Sequence, residues 1–294
     1  MFRIAAFYKF IPLSPERIGE LHDQLLCAAA AEEVVGLVLL GREGINATVA
    51  GTPAGVLSFM AVVKRASEFE NIDWKESWSE RRPFRRFKID RRAEIVTLKK
   101  NVPSPPAESY LSPLEWHARL ARGEPVTVLD VRNRYETELG VFAGAVTLPI
   151  ERFSDLPGAI AGAALPRERP VLMYCTGGIR CEKALGELKG QGFREVFQLH
   201  GGILKYLEEF PEGHFRGECF VFDHRVAVDS KLKPTERYAL CPHCGDPGEE
   251  RAICRECGQN VVLCRRCGAD EYRLACSKNC AYHLRRRSTL TRGA

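Results

Sequence analysis

No segment of the 294-residue chain is apolar enough to cross a bilayer. The stretch from Gly44 to Val63 carries no charge, but Asn46, Thr48, Gly51, Thr52, Pro53, Gly55 and Ser58 interrupt it, so it makes a poor membrane span. The opening residues, MFRIAAFYKF, lack the long apolar core and small-residue cleavage site of a secretory signal. A cytoplasmic protein with no membrane partner is the expectation. Acidic residues are scarce in two segments. Arg81–Arg92 holds seven basic residues against Asp90 alone, and HLRRRSTLTRGA, residues 283–294, holds four arginines and no acid. From Lys231 onward apolar side chains are too few to build a core, so that region needs covalent or metal staples.

The twelve cysteines are unevenly placed. Eight lie between Cys241 and Cys280, and Cys27, Cys175, Cys181 and Cys219 are scattered. In a reducing compartment a disulfide framework is disfavoured, clustered cysteines read as metal ligands, and a scattered one is a candidate for catalysis. CPHC (Cys241, Cys244), CREC (Cys254, Cys257), CRRC (Cys264, Cys267) and CSKNC (Cys276, Cys280) form four chelating pairs, enough for two tetrahedral zinc sites of structural type. Spacing does not say whether the pairs combine sequentially or crosswise.

With 45% hydrophobic and 28% charged residues, the chain reads as globular, and its length calls for two or three domains. Residues 1–100 alternate strand and helix patterns: strands in RIAAFYKFI, VVGLVLL and INATVAG, helices from Pro15 to Ala31 behind a Ser14 cap and from Pro53 to Ala66 behind a Thr52 cap, and a closing strand in AEIVTLK. This predicts a ferredoxin-like α+β domain. Residues 101–111, with most of the prolines of NVPSPPAESYLSP, predict a linker. Residues 112–230 read as an α/β domain with a parallel sheet, strands at VTVLDV, PVLMYC and EVFQL and helices from Pro113 to Arg122 and after Arg180. Residues 231–294 form the cysteine-rich, zinc-binding tail.

Ligands of a parallel sheet gather at the carboxyl ends of its strands, and Cys175 sits at one of them. In MYCTGGIRCEKA, Gly177 and Gly178 let successive N–H groups converge, a helix begins, and Arg180 brings a positive charge. Such a loop, Thr176, Gly177, Gly178 and Ile179 between Cys175 and Arg180, depresses a thiol pKa. The sulfur is expected to be ionised and open to a nucleobase. Cys181 fits either an apolar first helical turn or a thiol that resolves an oxidised Cys175.

VLDVRNRYETELGVFAGAVTLP, VLMYCTGGIRCEKA and LHGGILKYL together resemble the rhodanese family over roughly Ser112 to Phe210. The related phosphatase loop is one residue longer and usually has a histidine where Tyr174 stands here, which disfavours phosphate chemistry. GREGINATVAG, CTGGIRCEKA and GECFVFDHRVAVD, in that order before a cysteine-rich tail, resemble the rhodanese-type tRNA uridine hydroxylases over nearly the whole chain. The resemblance implies oxygen-dependent conversion of the wobble uridine, position 34 of tRNA, to 5-hydroxyuridine, with molecular oxygen as co-substrate and the anticodon loop as partner; no protein partner is implied. It makes Cys175 the essential cysteine, Arg180 the loop arginine and Cys181 the second cysteine. Asp130 and Arg132 are expected to brace the loops, His200 to be structural, and Glu43 and Asn46 to touch substrate or shape a turn. Arg81, Arg82, Arg85, Arg86, Arg91 and Arg92 are the candidate RNA contacts, with Phe84 and Phe87 read chiefly as core. Addition of the Cys175 sulfur to uracil C6 and participation of a Cys175 persulfide or sulfenate both remain open. The alternatives are a persulfide sulfurtransferase acting through Cys175 and a non-enzymatic zinc-containing RNA-binding protein.

Overall fold

The computed structural model describes residues 1–291, with side chains through Arg287; Arg292 of the basic terminal segment lies outside the described residues. Among these residues no helix is long and apolar enough to cross a membrane.

The first sheet is built from β1 (Phe2–Phe10), β2 (Val35–Gly41), β3 (Gly44–Gly51), β4 (Trp74–Ser79) and β5 (Phe87–Arg91) in the order β4-β1-β3-β2-β5. The first four strands pair antiparallel, as the ferredoxin-like expectation requires, and β5 adds a parallel edge next to β2. Helices α1 (Pro15–Ala31) and α2 (Pro53–Arg65) start where their caps dictate. Ser14 Oγ accepts from Arg17 N at 3.2 Å and Thr52 Oγ1 from Gly55 N at 3.0 Å, each satisfying an otherwise orphaned donor. Leu21 and Leu25 of α1 and Phe59 and Met60 of α2 bury against Phe7, Val38 and Ile45 of the sheet. Phe87 packs edge-on to Phe59 at 5.7 Å, and Phe84 packs against Ile4, Val35 and Ala50.

One expected strand is absent. AEIVTLK, 93–99, is not extended sheet, because its side chains serve different purposes: the Glu94 carboxylate accepts from the Leu98 and Lys99 amides at 2.9 and 3.1 Å, and Leu98 enters the core of the following domain with Val96 against it. The sheet is closed instead by β4, WKESWS, whose polar composition hides it from a pattern of apolar alternation.

The second sheet has the order β6-β11-β10-β7-β9, every neighbouring pair parallel, from β6 (Tyr110–Leu111), β7 (Thr127–Asp130), β9 (Val146–Thr147), β10 (Val171–Tyr174) and β11 (Val196–Leu199). β8 (Gly140–Phe142) pairs separately with β12 (Phe215–Gly217). The predicted linker thus ends in sheet, at β6. Its prolines lie across α6 (Ile179–Gly190): a Cβ on Gly186 would stand 2.9 Å from the Val102 side chain and 3.0 Å from the Pro103 carbonyl, so only glycine admits this crossing. The remaining helices are α3 (Pro113–Ala121), α4 (Arg134–Thr137), α5 (Leu156–Gly162) and α7 (Gly202–Glu209). Alternate strand residues feed two cores, Leu129 and Met173 with Leu185 on one face, Val128, Leu172 and Tyr174 with Trp116 and Tyr206 on the other. This is the predicted parallel-sheet domain.

A separate compact unit comprises His224–Ala227 and the chain from Pro234 onward. It contains the hairpin Glu250–Ile253 with Asn260–Leu263 and the final helix, Lys278–Thr291. Its buried side chains are four cysteines, Cys241, Cys254, Cys264 and Cys267, with small residues such as Ala275 and Ala281 and few larger ones beyond Val261 and Leu263, a core too small to fold by apolar burial alone.

Beneath the second sheet, Asp130 and Arg132 form an ion pair at 2.7 Å with no exposure of either side chain, and Arg132 Nη2 also donates to the Gly140 carbonyl at 2.5 Å. Breaking a buried pair leaves an uncompensated charge, so Arg132→Met is expected to lower stability by about 3–5 kcal/mol, measured by urea denaturation.

Candidate active site and metal centres

β10 carries Cys175 to its carboxyl end and α6 begins four residues later. Gly178 makes the turn with φ +100°, and its N–H donates to the Cys175 sulfur at 3.1 Å. The first turn of α7 fixes the loop from behind, Ile203 N donating to the Cys175 carbonyl at 3.0 Å and Leu204 N to that of Thr176 at 3.1 Å.

Burial of Cys175 by itself would raise the thiol pKa. It is outweighed by a hydrogen bond from Cys181, the charge of Arg180, and the backbone N–H groups of Arg180 and Cys181, and the net result is a pKa of about 5. Cys181 moves the other way. Burial and the neighbouring Cys175 charge push it well above the thiol range, so Cys181 is the S–H donor and Cys175 the thiolate.

Arg180 is not a free cation. Glu136, fully buried, grips it through two bonds at 2.5 and 2.7 Å, and Thr176 Oγ1 donates to Glu136 at 3.1 Å while accepting from Arg180 at 3.1 Å. Burial favours the neutral acid, but the Arg180 charge keeps Glu136 ionised. Sequence reasoning placed Arg180 and passed over its partner. The capping-box position of Glu136 behind Asn133 was the available signal.

The expectation of an open sulfur is not met. Cys175 has no solvent exposure. Cys175 belongs to the core cluster of its own domain with Val131, Met173 and Cys181, and strands β1 and β4 of the N-terminal domain come up against the loop from outside. The Tyr8 hydroxyl lies 2.8 Å from where a Cβ on Gly178 would stand, and donates to Glu182 at 3.0 Å. Tyr110 donates to the other Glu182 oxygen at 2.7 Å. Lys183 bridges Glu43 and Glu94, both at 2.7 Å. Glu43 and Asn46, candidates for substrate contact, are thereby assigned to structure: Glu43 accepts from Ile95 N at 2.5 Å and Asn46 donates to the Ile95 carbonyl at 3.0 Å.

The remaining expected positions fall as follows. Arg81, Arg82, Arg85, Arg86, Arg91 and Arg92 are all exposed, on the β4–β5 connection and at the end of β5, with Arg92 3.1 Å from Asp90. His200 is exposed at the end of β11, its N–H bonded to the Leu111 carbonyl at 2.8 Å.

In the tail, the four cysteine pairs combine crosswise. Cys241 and Cys244 meet Cys264 and Cys267, and Cys254 and Cys257 meet Cys276 and Cys280, with the ligand atoms of each group within 4.8 Å of one another. Neighbouring sulfurs stand 3.5 to 3.9 Å apart. That spacing is far from a disulfide and close to the edge, about 3.8 Å, of a tetrahedron with metal–sulfur bonds of about 2.3 Å. Each cluster can hold a metal ion.

The parallel sheet and the six-residue loop from Cys175 to Arg180 define a rhodanese-type domain, and the family description "Rhodanese-like domain" matches residues 112–209. "UPF0176 acylphosphatase like domain" matches residues 2–95 and "Rhodanase C-terminal" residues 216–281. The chain belongs to the tRNA uridine(34) hydroxylase family. A member from Bdellovibrio bacteriovorus is 41% identical over 287 residues, 96% of this chain and 81% of that protein. Members from Albidiferax ferrireducens and Acaryochloris marina are each 43% identical, over 84% of this chain and 79% and 80% of their own lengths.

A thiol with a depressed pKa is ionised at neutral pH and protonates as the pH falls through its folded value. The thiolate absorbance near 240 nm that distinguishes the protein from its Cys175→Ser variant is therefore expected at pH 7 and is expected to vanish with a midpoint near pH 5. A midpoint above 8 contradicts the assignment of Cys175 as thiolate.

Proposed function

We propose that the chain hydroxylates the wobble uridine of tRNA to 5-hydroxyuridine through Cys175, with molecular oxygen as co-substrate. The observation that supports this mechanism best is the thiolate cradled by the Gly178 N–H and the Cys181 thiol in a chain 41% identical to a tRNA uridine(34) hydroxylase across nearly its whole length. An anticodon loop already presents unstacked bases, so position 34 reaches the site without opening a helix.

The thiolate adds to C6 of the uracil. An S–C6 bond forms, and the C5–C6 π pair moves toward C5 and O4. C5 becomes electron-rich and takes one atom of oxygen; the other leaves as water, with two electrons and two protons supplied by a donor outside the chain. Loss of the C5 proton and cleavage of S–C6 then restore the aromatic ring and the thiolate. Arg180, held by Glu136, fixes the loop, and Cys181 keeps its proton and stabilises the sulfur between turnovers. Because the sulfur is enclosed in this structure, admission of a base requires Tyr8 and its neighbours to part from the loop.

Around this centre, the exposed arginines between Arg81 and Arg92 bind the phosphates of the anticodon arm, as counterion release favours. The two cysteine clusters hold structural zinc, one ion each, which folds the tail. The protein works in the cytoplasm, where tRNA is found.

Cells lacking the gene and complemented with Cys175→Ser are expected to lose 5-hydroxyuridine derivatives in tRNA nucleoside mass spectrometry, and wild type to restore them. Loss of thionucleosides instead supports sulfur transfer, and an unchanged nucleoside profile supports a binding protein. For the tail, elemental analysis is expected to give two zinc ions per chain and one in the double variant Cys241→Ser with Cys264→Ser. Sequential pairing would place these two cysteines in different sites and remove both ions.

A further inference from the structure

Addition of a thiolate to uracil moves negative charge onto O4, and a site enclosed away from water needs a positive group there. The cations around the loop are few, and most are committed. Arg180 is paired with Glu136, Lys183 with Glu43 and Glu94, and Lys205 with Glu208 at 2.7 Å. Lys75, from β4 of the N-terminal domain, is different: among the described residues it makes no ion pair. Its ammonium group lies 5.3 Å from the Tyr8 ring centroid, and its Cε lies 3.5 Å from where a Cβ on Gly201 would stand. Gly201 in turn borders Gly178, with N and Cα 3.6 and 3.7 Å from the corresponding Cβ position, and Gly178 is the residue whose N–H holds the sulfur. Burial disfavours the Lys75 charge, and of the anions that oppose this, Cys175 ranks ahead of Glu208, Asp73 and Glu182. An uncommitted lysine has thus been carried by a different domain to the mouth of the loop.

We infer that Lys75 is a catalytic residue of the hydroxylase, its ammonium group donating a hydrogen bond to uracil O4 as the Cys175 sulfur adds to C6. This rests on the C6-addition reading given above. In the step itself an S–C6 bond forms, the C5–C6 π pair shifts into the C5–C4–O4 system, and Lys75 keeps its proton; nothing is oxidised or reduced. Arg180 is held away from that role, since both terminal nitrogens of its guanidinium donate to Glu136. The N-terminal domain then does two jobs with two paired strands: β1 brings Tyr8 over the loop, and β4 supplies the cation that the covered thiolate needs for attack.

The test uses the full chain and tRNA carrying 5-fluorouridine at position 34. The reaction is run in cell extract, which supplies the two-electron donor; once oxygen has joined C5, fluorine leaves as fluoride to give a C5 ketone, loss of the C6 proton gives the 5-hydroxy-6-thio ring, and the sulfur stays bonded to C6, where intact mass reads it. Wild type is expected to form the adduct and Cys175→Ser to form none. Lys75→Met is expected to form it at least 100-fold more slowly with tRNA affinity changed less than threefold, and Lys75→Arg to recover part of the rate. Adduct formation by Lys75→Met at the wild-type rate overturns the role of Lys75 and leaves the addition mechanism standing. Weakened tRNA binding with an unchanged rate at saturation also overturns it, by showing a phosphate contact. Absence of an adduct in wild type removes the addition mechanism and the role of Lys75 with it. Misfolding is separated by unfolding midpoint: if Lys75→Met and Lys75→Arg lose rate equally and in proportion to lost stability, Lys75 is structural.

Discussion

Charge at the Cys175 loop is balanced among buried side chains, and the balance turns on the pairing of Glu136 with Arg180. Glu136 fixes the arginine in place, and the arginine's charge then lowers the Cys175 pKa. The remaining work falls to hydrogen bonds from Gly178 and Cys181. A buried anion is tolerated only when its donors are fixed in advance. Here each is fixed by something else: the Gly178 amide by the left-handed turn, Cys181 by the first turn of α6, Arg180 by Glu136, and Glu136 by the cap of α4. The second pair, Asp130 with Arg132, anchors the strand beside β10 and ties it to Gly140. The loop's donors are thus held by a turn, a helix start, an ion pair and a cap that are all in place without substrate.

Much of this was legible in the sequence, for a definite reason. Ser14 and Thr52 followed by proline mark helix starts through contacts three residues away, and these local rules placed α1 and α2 correctly. The loop was legible because its geometry is written in adjacent residues. What escaped was nonlocal. Tyr8 meets Glu182 across 174 positions and Lys183 meets Glu94 across 89, and neither partner carries a pattern of its own. Lys75 lies in WKESWS, where Glu76 interrupts the face of Trp74 and Trp78 and the other face is Lys75, Ser77 and Ser79, so neither the strand nor the lysine stood out. AEIVTLK misled for the converse reason: it has the alternation of a strand, but its apolar side chains answer to a neighbouring domain. The enclosure of Cys175 belongs to the same class, since it is made by residues far away in the chain.

The two domains that meet at Cys175 are joined by a segment with little freedom. Glu94, Ile95 and Leu98 are held by hydrogen bonds or burial, and the prolines after them lie across α6 at Gly186. Parting of the N-terminal strands from the loop therefore cannot be a loose swing of one body on a flexible tether. It has to break the bridge from Lys183 to Glu43 and Glu94, on the same helix whose first turn carries Arg180 and Cys181. Binding energy from the tRNA body is the available source for that rupture, which couples recognition of the whole molecule to exposure of one sulfur.

The crosswise arrangement of the tail cysteines imposes an order on biosynthesis. As the polypeptide emerges from the ribosome, Cys241 and Cys244 wait for Cys264 and Cys267, and during that wait Cys254 and Cys257 emerge as nearer but wrong partners. A metal ion taken up in that interval would be offered the four nearer thiolates before the native set is complete. Native loading would then require Cys254 and Cys257 to release such an ion before the hairpin Glu250–Ile253 with Asn260–Leu263 closes around it.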